Sequence, residues 1–222
     1  MTVAFLILSG VAALGDWAAV ARRQRSIEIV LKPATLVLLI VAAALGNLGE
    51  AKPWVLTALA FGVIGDVALL FSSDAPPEPG APAEAELDPA FLAGLAAFLL
   101  GHLAYVVAFA RHGLHGWQAA AGALVVGGAI VLAMPRVIRG ARDTGGRALA
   151  AIVGGYAAVL ATMVVLAFST AAIATAIGAA VFLASDTTLA WNRFVQPLLR
   201  GPVIVIVTYH VAQILIVIGL LH

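Results

Sequence analysis

Long apolar runs, separated by short polar or Gly- and Pro-containing segments, fill most of the chain. Each run has about the twenty residues that a helix needs to cross a hydrocarbon core about 30 Å thick. Because the runs are apolar throughout and do not alternate with polar positions, they favour helices over the strands of a barrel. The predicted spans are Val3 to Ala21, Ile27 to Leu45, Trp54 to Phe71, Pro89 to Ala110, Trp117 to Met134, Arg147 to Phe168, Ala171 to Ala190 and Pro202 to Leu221.

This pattern predicts an all-α fold: one domain over residues 1–222, built as a polytopic membrane bundle of about eight transmembrane helices. A count of seven stays open, because only a tight turn at Ser169 and Thr170 separates the sixth and seventh spans. The segment near 72–88 is rich in Pro and acidic residues, and it is typical of a flexible linker.

Two of the predicted spans carry an Asp in similar, otherwise apolar surroundings. Asp66 lies in FGVIGDVALLF and Asp186 lies in VFLASDTTLAWNRF. Inserting a charged side chain at the centre of a membrane helix costs roughly 2.5–3.5 kcal/mol on insertion scales. Such a residue is therefore expected where it contributes to function. These two residues are therefore the first candidates for function.

Composition supports a membrane protein and excludes several kinds of chemistry. The chain is 63% hydrophobic and 10% charged, with a mean hydropathy of +1.10, which is too apolar for a soluble domain. It has no Cys, so disulfides and thiolate catalysis are excluded, and its net charge of +1 argues against nucleic acid as a partner. Nearly all of the chain lies in the predicted spans, so its chemistry takes place inside the bundle.

The basic residues predict the orientation of the bundle. Of the twelve Lys and Arg residues, only Lys52 and Arg111 fall in even-numbered loops. The positive-inside rule therefore places the odd-numbered loops in the cytoplasm and both termini outside. We expect a multi-pass protein of the cell membrane.

With this orientation, the polar residues inside the spans converge on the cytoplasmic half of the bundle. His102, Tyr105 and Gln213 lie nearer the midplane, and helical spacing puts His102 on the same face as Tyr105, and Tyr209 on the same face as Gln213. One polar pocket opening toward the cytoplasm accounts for this distribution. The residues of the cytoplasmic half are Asp16, Glu28, Lys32, Asp66, Tyr156, Asp186, Tyr209 and His210.

Order along the chain also hints at an internal repeat. Asp66 is followed one helix later by His102, and Asp186 is followed one helix later by His210. This is the pattern expected of a parallel duplication of a four-helix half, although these two pairs are its whole support in the sequence.

Five segments taken together resemble the YhhN family of lysoplasmalogenase-like membrane proteins. The segments are LKPATLVLLI, FGVIGDVALLF, FLAGLAAFLLGHLAYVVAF, VFLASDTTLAWNRF and TYHVAQILI, in this order across eight spans. The resemblance implies hydrolysis of the vinyl ether bond of lysoplasmalogens, such as lysoplasmenylethanolamine, to a fatty aldehyde and glycerophospho-ethanolamine or -choline. It carries the polar residues of the family onto Lys32, Asp66, His102, Tyr105, Asp186, Asn192, Arg193, Tyr209 and Gln213. His210 departs from the Tyr that is more usual at its position.

The implied reaction begins with protonation of a carbon, which requires a well-placed acid. A carboxyl in an apolar pocket is kept protonated by desolvation, whereas a carboxylate in a more polar setting stays ionised. We expect Asp66 and Asp186 to be the acid and the stabilising base, in either order. The remaining matched residues would bind substrate: Lys32 and Arg193 the phosphate, and Asn192, Tyr209 and Gln213 the water or glycerol oxygens. His102 and Tyr105 complete the predicted substrate site.

Other interpretations stay open. Two Asp and two His residues in one pocket can ligate zinc, although no HxxxH or HExxH pair occurs and we expect no cofactor. Intramembrane Asp residues also serve transporters as proton or cation sites. A purely structural role leaves the carboxylates unexplained, because an interhelical hydrogen bond is worth only about 0.6 kcal/mol.

Overall fold

The computed structural model describes residues 1–72 and 88–221, and this part of the chain is helical. The linker predicted near 72–88 falls almost entirely outside the described residues. Gly49–Ala51 forms a short 3₁₀ turn just before the third helix. The helices are α1 (Thr2–Ala21), α2 (Arg25–Leu45), α3 (Lys52–Leu70), α4 (Pro89–His112), α5 (Gln118–Leu132), α6 (Met134–Ser169), α7 (Ile173–Phe194) and α8 (Gly201–Leu220).

Local sequence explains where several helices begin and end. Pro occupies the first or second helical position of α3, α4, α6 and α8, where its missing N–H has no intrahelical partner to lose. Asp88 caps α4 by accepting a hydrogen bond from the Ala90 N–H at 2.9 Å. Gly113, with φ of 113°, ends the same helix in a conformation that favours glycine.

The predicted polytopic bundle is confirmed. In the described ranges seven helices are long and apolar enough to cross a membrane, and α5 is a shorter apolar helix of 15 residues. Many large apolar side chains are exposed on the outside of the bundle, as expected of a lipid-facing surface. The tight turn does separate two helices, since α6 ends at Ser169 and α7 begins at Ile173.

The sixth helix is longer than predicted. Its spanning part follows Arg147 as expected, but a helical segment precedes it from Met134 onward. Gly145 and Gly146 have non-helical backbone angles and kink α6 between the two parts. Apolar residues of the first part, including Val137 and Ala141, pack against Trp191 near the end of α7. This segment is amphipathic, which is why its arginine-rich sequence was not recognised as helical.

Neighbouring helices pack in pairs. The most extensive contacts join α1 to α2, α3 to α4, α5 to α6 and α7 to α8, followed by α2 to α3 and α6 to α7. More distant contacts join α4 to α6, α2 to α8 and α1 to α8. Arg22, Arg136 and Arg193 lie toward one end of the bundle, called the arginine-rich end below.

Burial supports the repeat that the sequence hinted at. In α3 the buried positions include Val55, Ala58, Leu59, Gly62 and Gly65, and in α7 the buried positions Thr175, Gly178, Ala179, Phe182 and Ser185 keep the same spacing. In this register Asp66 corresponds to Asp186.

The other helix pairs agree. His102 and Tyr105 of α4 correspond to His210 and Gln213 of α8, with all four buried. Leu36 and Leu39 of α2 match Leu160 and Met163 of α6, and Ser9 and Ala13 of α1 match Gly122 and Val126 of α5. The contact of α2 with α8 likewise has its counterpart in the contact of α6 with α4. We infer two four-helix halves, α1–α4 and α5–α8.

Close packing of α7 on α8 yields a stability prediction. A Cβ atom on Gly178 would lie 2.9 Å from the Ala212 carbonyl oxygen and 3.0 Å from the Ile216 nitrogen, both of which are backbone atoms. Gly178→Ala should therefore cost about 1–3 kcal/mol of stability through overpacking. Thermal unfolding in detergent would measure it, with Gly10→Ala as the matched control because a Cβ there meets nothing within 4 Å. Equal unfolding temperatures for the two variants would contradict the packing described.

A candidate active site at an apolar cavity

A cavity of about 310 Å³ lies among α4, α5, α6 and α7. Aliphatic and aromatic side chains form most of its wall, and Asp186, Tyr156 and Thr187 contribute polar groups. Toward the arginine-rich end its wall includes Phe91, Met134 and Phe194. A cavity of this kind is a common form of small-molecule site. Its apolar residues are Leu69, Phe91, Leu95, Phe98, Val126, Ala129, Ile130, Ala133, Met134, Val137, Ile138, Val153, Gly154, Ala157, Ala158, Leu160, Ala161, Leu183, Leu189, Ala190 and Phe194.

Asp186 of α7 is held by side chains from two other helices. The Tyr156 hydroxyl of α6 donates a hydrogen bond of 2.6 Å to Asp186 Oδ2. His102 Nε2 of α4 lies 3.7 Å from the same oxygen, too far for a hydrogen bond but close enough for an electrostatic contact. The Asp186 side chain keeps 13% of its surface exposed, whereas His102 is fully buried. These three residues form what we call the Asp186 cluster.

His102 is fixed by aromatic neighbours. Its ring meets those of Tyr156 and Phe182 edge to face, with centroids 5.2 and 4.8 Å away. Both imidazole nitrogens are buried without a hydrogen-bond partner among the described residues. The imidazole is therefore positioned by packing, and its nitrogens stay open to a further polar group.

Asp66 belongs to a second cluster, which lies outside the cavity wall. Lys32 Nζ of α2 is 3.9 Å from Asp66 Oδ1, and the carboxylate is almost fully buried. The Tyr209 hydroxyl interacts electrostatically with Asp66, although no described partner meets hydrogen-bond geometry with that hydroxyl. Lys32 also interacts with Asp16, whose two carboxylate oxygens are buried and lack a hydrogen-bond partner among the described residues. Lys32, Asp66 and Asp16 form the Lys32 cluster.

Tyr209 joins the two clusters. Its ring packs edge to face on Phe182, which in turn packs on His102. The Phe182 ring thus lies between Tyr209 and His102, and the two carboxylates predicted to act together each have their own partners.

Tyr105 and Gln213 form a buried contact of their own. The Tyr105 hydroxyl donates to Gln213 Oε1 at 2.5 Å. The two residues occupy corresponding positions in α4 and α8, so this hydrogen bond joins the two halves of the chain directly. Neither residue is part of the cavity wall.

Asn192 and Arg193 lie at the arginine-rich end of α7. Asn192 Oδ1 accepts a hydrogen bond of 2.8 Å from the Leu198 N–H, so it stabilises the connection to α8. The Arg193 guanidinium lies over the Phe91 ring, 4.7 Å from its centroid, and Phe91 belongs to the cavity wall. Of these two predicted site residues, Arg193 is the one placed beside the cavity.

Sequence reasoning grouped Tyr156 with the polar residues inside the spans but did not select it as a site residue. Its contact with Asp186 joins residues thirty positions apart, and no spacing rule links two helices in this way. The counterpart of Tyr156 in the first half is Lys32, which contacts Asp66 as Tyr156 contacts Asp186. The internal repeat is thus the signal that identifies it.

The described ranges contain no group of ligands that would support the alternative of a zinc site. Within residues 1–72 and 88–221, no three His, Asp or Glu side chains are grouped closely enough to hold one metal ion. The two buried histidines have different partners: His210 Nδ1 accepts a hydrogen bond of 3.2 Å from Trp17 Nε1, whereas His102 lies beside Asp186.

Comparison with known proteins gives one named relative and one family. A protein from Sus scrofa, "Lysoplasmalogenase TMEM86B", is 38% identical over 127 residues, which cover 57% of this chain and 52% of that protein. The match thus spans about half the length of the curated relative. No solved structure matches the chain.

The family comparison covers more of the chain. The YhhN family matches residues 27–220, which include most of α2 through α8 and both Asp66 and Asp186. The resemblance noted from the five sequence segments is therefore confirmed over nearly the whole chain, and the protein belongs to the YhhN family.

Proposed function

We propose that the protein hydrolyses the vinyl ether bond of lysoplasmalogens, releasing a fatty aldehyde and glycerophospho-ethanolamine or -choline. The observation that carries this proposal is a partly buried carboxylate, Asp186, in the wall of a largely apolar cavity. A relative named as a lysoplasmalogenase supports the choice of reaction and of a lysophospholipid as substrate.

The reaction balances with a single carboxyl group and one water molecule. The carboxylic acid gives its proton to the β-carbon of the vinyl ether, and the resulting oxocarbenium ion has the carboxylate beside it. Water adds to the cationic carbon while the carboxylate takes one of the water protons, which regenerates the acid. The hemiacetal then breaks its bond to the glycerol oxygen, which takes the hydroxyl proton, and forms the aldehyde. Glycosidases stabilise a similar cation with carboxylates.

Asp186 suits the part of the acid. The Tyr156 hydroxyl occupies Oδ2 as a hydrogen-bond donor, so Oδ1 is the oxygen left to carry the proton. The apolar wall around it removes competing water, which favours the neutral acid before the reaction and strengthens its attraction for the cation afterwards. His102 Nε2, 3.7 Å from Asp186 Oδ2 and outside the cavity wall, would help to position the carboxyl group.

Asp66 suits the part of the ionised carboxylate. Lys32 at 3.9 Å balances its charge, and Asp66 lies outside the wall of the cavity. We therefore assign Asp66 a stabilising and positioning role, with Tyr209 as the group between it and the substrate. In this assignment Lys32 serves Asp66 and not the phosphate.

The site faces the cytoplasmic leaflet of the cell membrane in this proposal. The arginine-rich end is the cytoplasmic end by the positive-inside rule, and Phe91 and Met134 place the cavity wall close to that end. A lysophospholipid in that leaflet would bring its phosphate near Arg193 and its vinyl ether near Asp186.

A transporter is the second candidate function. The observation in its favour is Asp16, whose carboxylate oxygens are buried without a hydrogen-bond partner among the described residues and which interacts with Lys32 and Asp66. Such a group is typical of proton- or cation-coupled carriers. Asp16 lies outside the wall of the cavity, so the hydrolase explains the cavity better.

Removing the acid should abolish the reaction. Asp186→Asn keeps the size of the side chain but cannot give up a proton, so aldehyde release from lysoplasmenylethanolamine should fall on the order of a thousandfold. Tyr156→Phe removes one hydrogen bond and should lower the rate about tenfold. Asp143→Asn, at an exposed position of the segment that begins α6, is the matched control and should behave as wild type. Substantial aldehyde release by a folded Asp186→Asn variant would exclude this mechanism.

The Lys32 and Asp66 side chains should show energetic coupling. Asp66→Asn removes one of the two carboxylates beside the partly buried Lys32 ammonium, and Lys32→Met leaves the buried Asp66 carboxylate without its cation, so each variant should be less stable than wild type. The double variant should recover about 1–3 kcal/mol relative to the sum of the two single changes. Activity should stay low in the double variant, because the negative charge near Tyr209 is still missing.

Thermal unfolding of the four proteins measures the coupling between Lys32 and Asp66, and aldehyde release measures their role in the reaction. Purely additive unfolding data would show that the two side chains do not interact. Full activity in Asp66→Asn would remove Asp66 from the mechanism without affecting the assignment of Asp186.

A further inference from the structure

The two halves of the chain differ in how their first helix is packed. In the first half α1 packs against α8, and Trp17 Nε1 donates a hydrogen bond to His210 Nδ1 across that interface. The repeat makes α5 the counterpart of α1, and α4 the counterpart of α8. A symmetric molecule would therefore have α5 packed against α4.

Helix α5 does not close the second half in this way. Across the described residues its substantial contacts are with α6 and α7, and none of comparable extent joins it to α4. It packs closely against α6 at Gly122, where a Cβ would lie 2.9 Å from the Val165 Cα. Beyond that point Ala129 and Ile130, the counterparts of Asp16 and Trp17, line the cavity. Ile130 is also 49% exposed on the outside of the bundle.

We propose that the gap between α4 and α5 is a lateral opening through which the single hydrocarbon chain of a lysophospholipid passes from the bilayer into the cavity beside Asp186. The identity of the substrate rests on the proposed function, whereas the position of the opening does not. Leu95 and Phe98 of α4 and Ile130 of α5 form its two sides. All three are apolar, as passage of a hydrocarbon chain requires.

Size favours a chain that extends through the opening. The cavity volume of about 310 Å³ is about twice the roughly 150 Å³ of a protein cavity that binds one benzene molecule, so it holds roughly twelve carbon atoms. A membrane lipid chain has more carbon atoms than this, so part of the chain extends out of the cavity. The gap between α4 and α5 leads that part into the lipid.

Charge at the arginine-rich end favours a phospholipid over a plain hydrocarbon. Arg193 lies over Phe91 and Arg136 lies over the Trp191 ring, 5.9 Å from its centroid. Arg136 follows the cavity residue Met134 closely in the helix. Along α7, Asp186 and Arg193 are two helical turns apart, about 10 Å. An amphiphile with its phosphate at these arginines and its chain at the gap thus brings the first atoms of that chain to Asp186.

A substitution that imitates the closed half tests the opening. Ile130→Trp places an indole where the first half carries Trp17, and it should fill the gap. The expected result is a rise in KM and a fall in kcat/KM on the order of tenfold or more for a long-chain lysoplasmalogen, with a smaller loss for a short-chain one. Val131→Trp is the matched control, because Val131 is 74% exposed and lies outside the cavity wall. Equal kinetics for the two Trp variants would overturn the proposal.

A second measurement does not depend on turnover. An ester-linked lysophosphatidylethanolamine with a diazirine near the end of its chain is incorporated into nanodiscs with the protein and photolysed, and the labelled peptides are mapped. Labels on α4 and α5 that Ile130→Trp reduces and Val131→Trp does not would support the opening. Labels concentrated on α1 and α8, or labels that ignore Ile130→Trp, would overturn it. Labelling of α4 and α5 by a protein that releases no aldehyde would reject the proposed reaction while keeping the opening.

Discussion

The cost of holding a carboxylate in lipid is the constraint on which the rest of the structure depends. Asp66 and Asp186 are stabilised by groups from neighbouring helices, Lys32 at 3.9 Å and the Tyr156 hydroxyl at 2.6 Å. Because an uncompensated carboxylate is expensive at this depth, these contacts fix which faces of α2 and α3, and of α6 and α7, pack together. The arrangement of helices and the chemistry of the site thus have one common cause.

The same constraint explains how two repeated halves differ. A cation and a carboxylate nearly cancel, so the Lys32 cluster can be enclosed, and α1 covers it with Trp17. A hydroxyl and a carboxylate do not cancel, so the Asp186 cluster has no cation at the position of Lys32. With Tyr156 in place of its counterpart Lys32, and Ala129 in place of its counterpart Asp16, the second half carries one carboxyl group beside an apolar cavity.

Sequence alone predicted the helices, because continuous apolar runs have no other stable form in lipid. It also predicted the position of each polar residue along its helix, since that follows from the helix bounds. It could not predict which helices meet: His102 follows Asp66 along the chain but contacts Asp186 of the other half. Asn192 shows the same limit, because its hydrogen bond to Leu198 depends on the loop before α8. The helical segment at the start of α6 was missed because several arginines interrupt its apolar positions. Those apolar positions form one face, which packs against Trp191.

The short length of α5 explains why the second half is packed less completely than the first. A helix of 15 residues is about 22 Å long, less than the roughly 30 Å of a hydrocarbon core, and it carries few side chains large enough to reach α4. The segment that follows turns along the arginine-rich end and packs on α7, where Met134 and Val137 form part of the cavity wall. That segment therefore closes part of the cavity near the arginines, whereas α5 makes no contact with α4 comparable to its contact with α6. The cavity is thus bounded unequally by the helices around it, and this asymmetry is what the proposed lateral entry of a lipid chain requires.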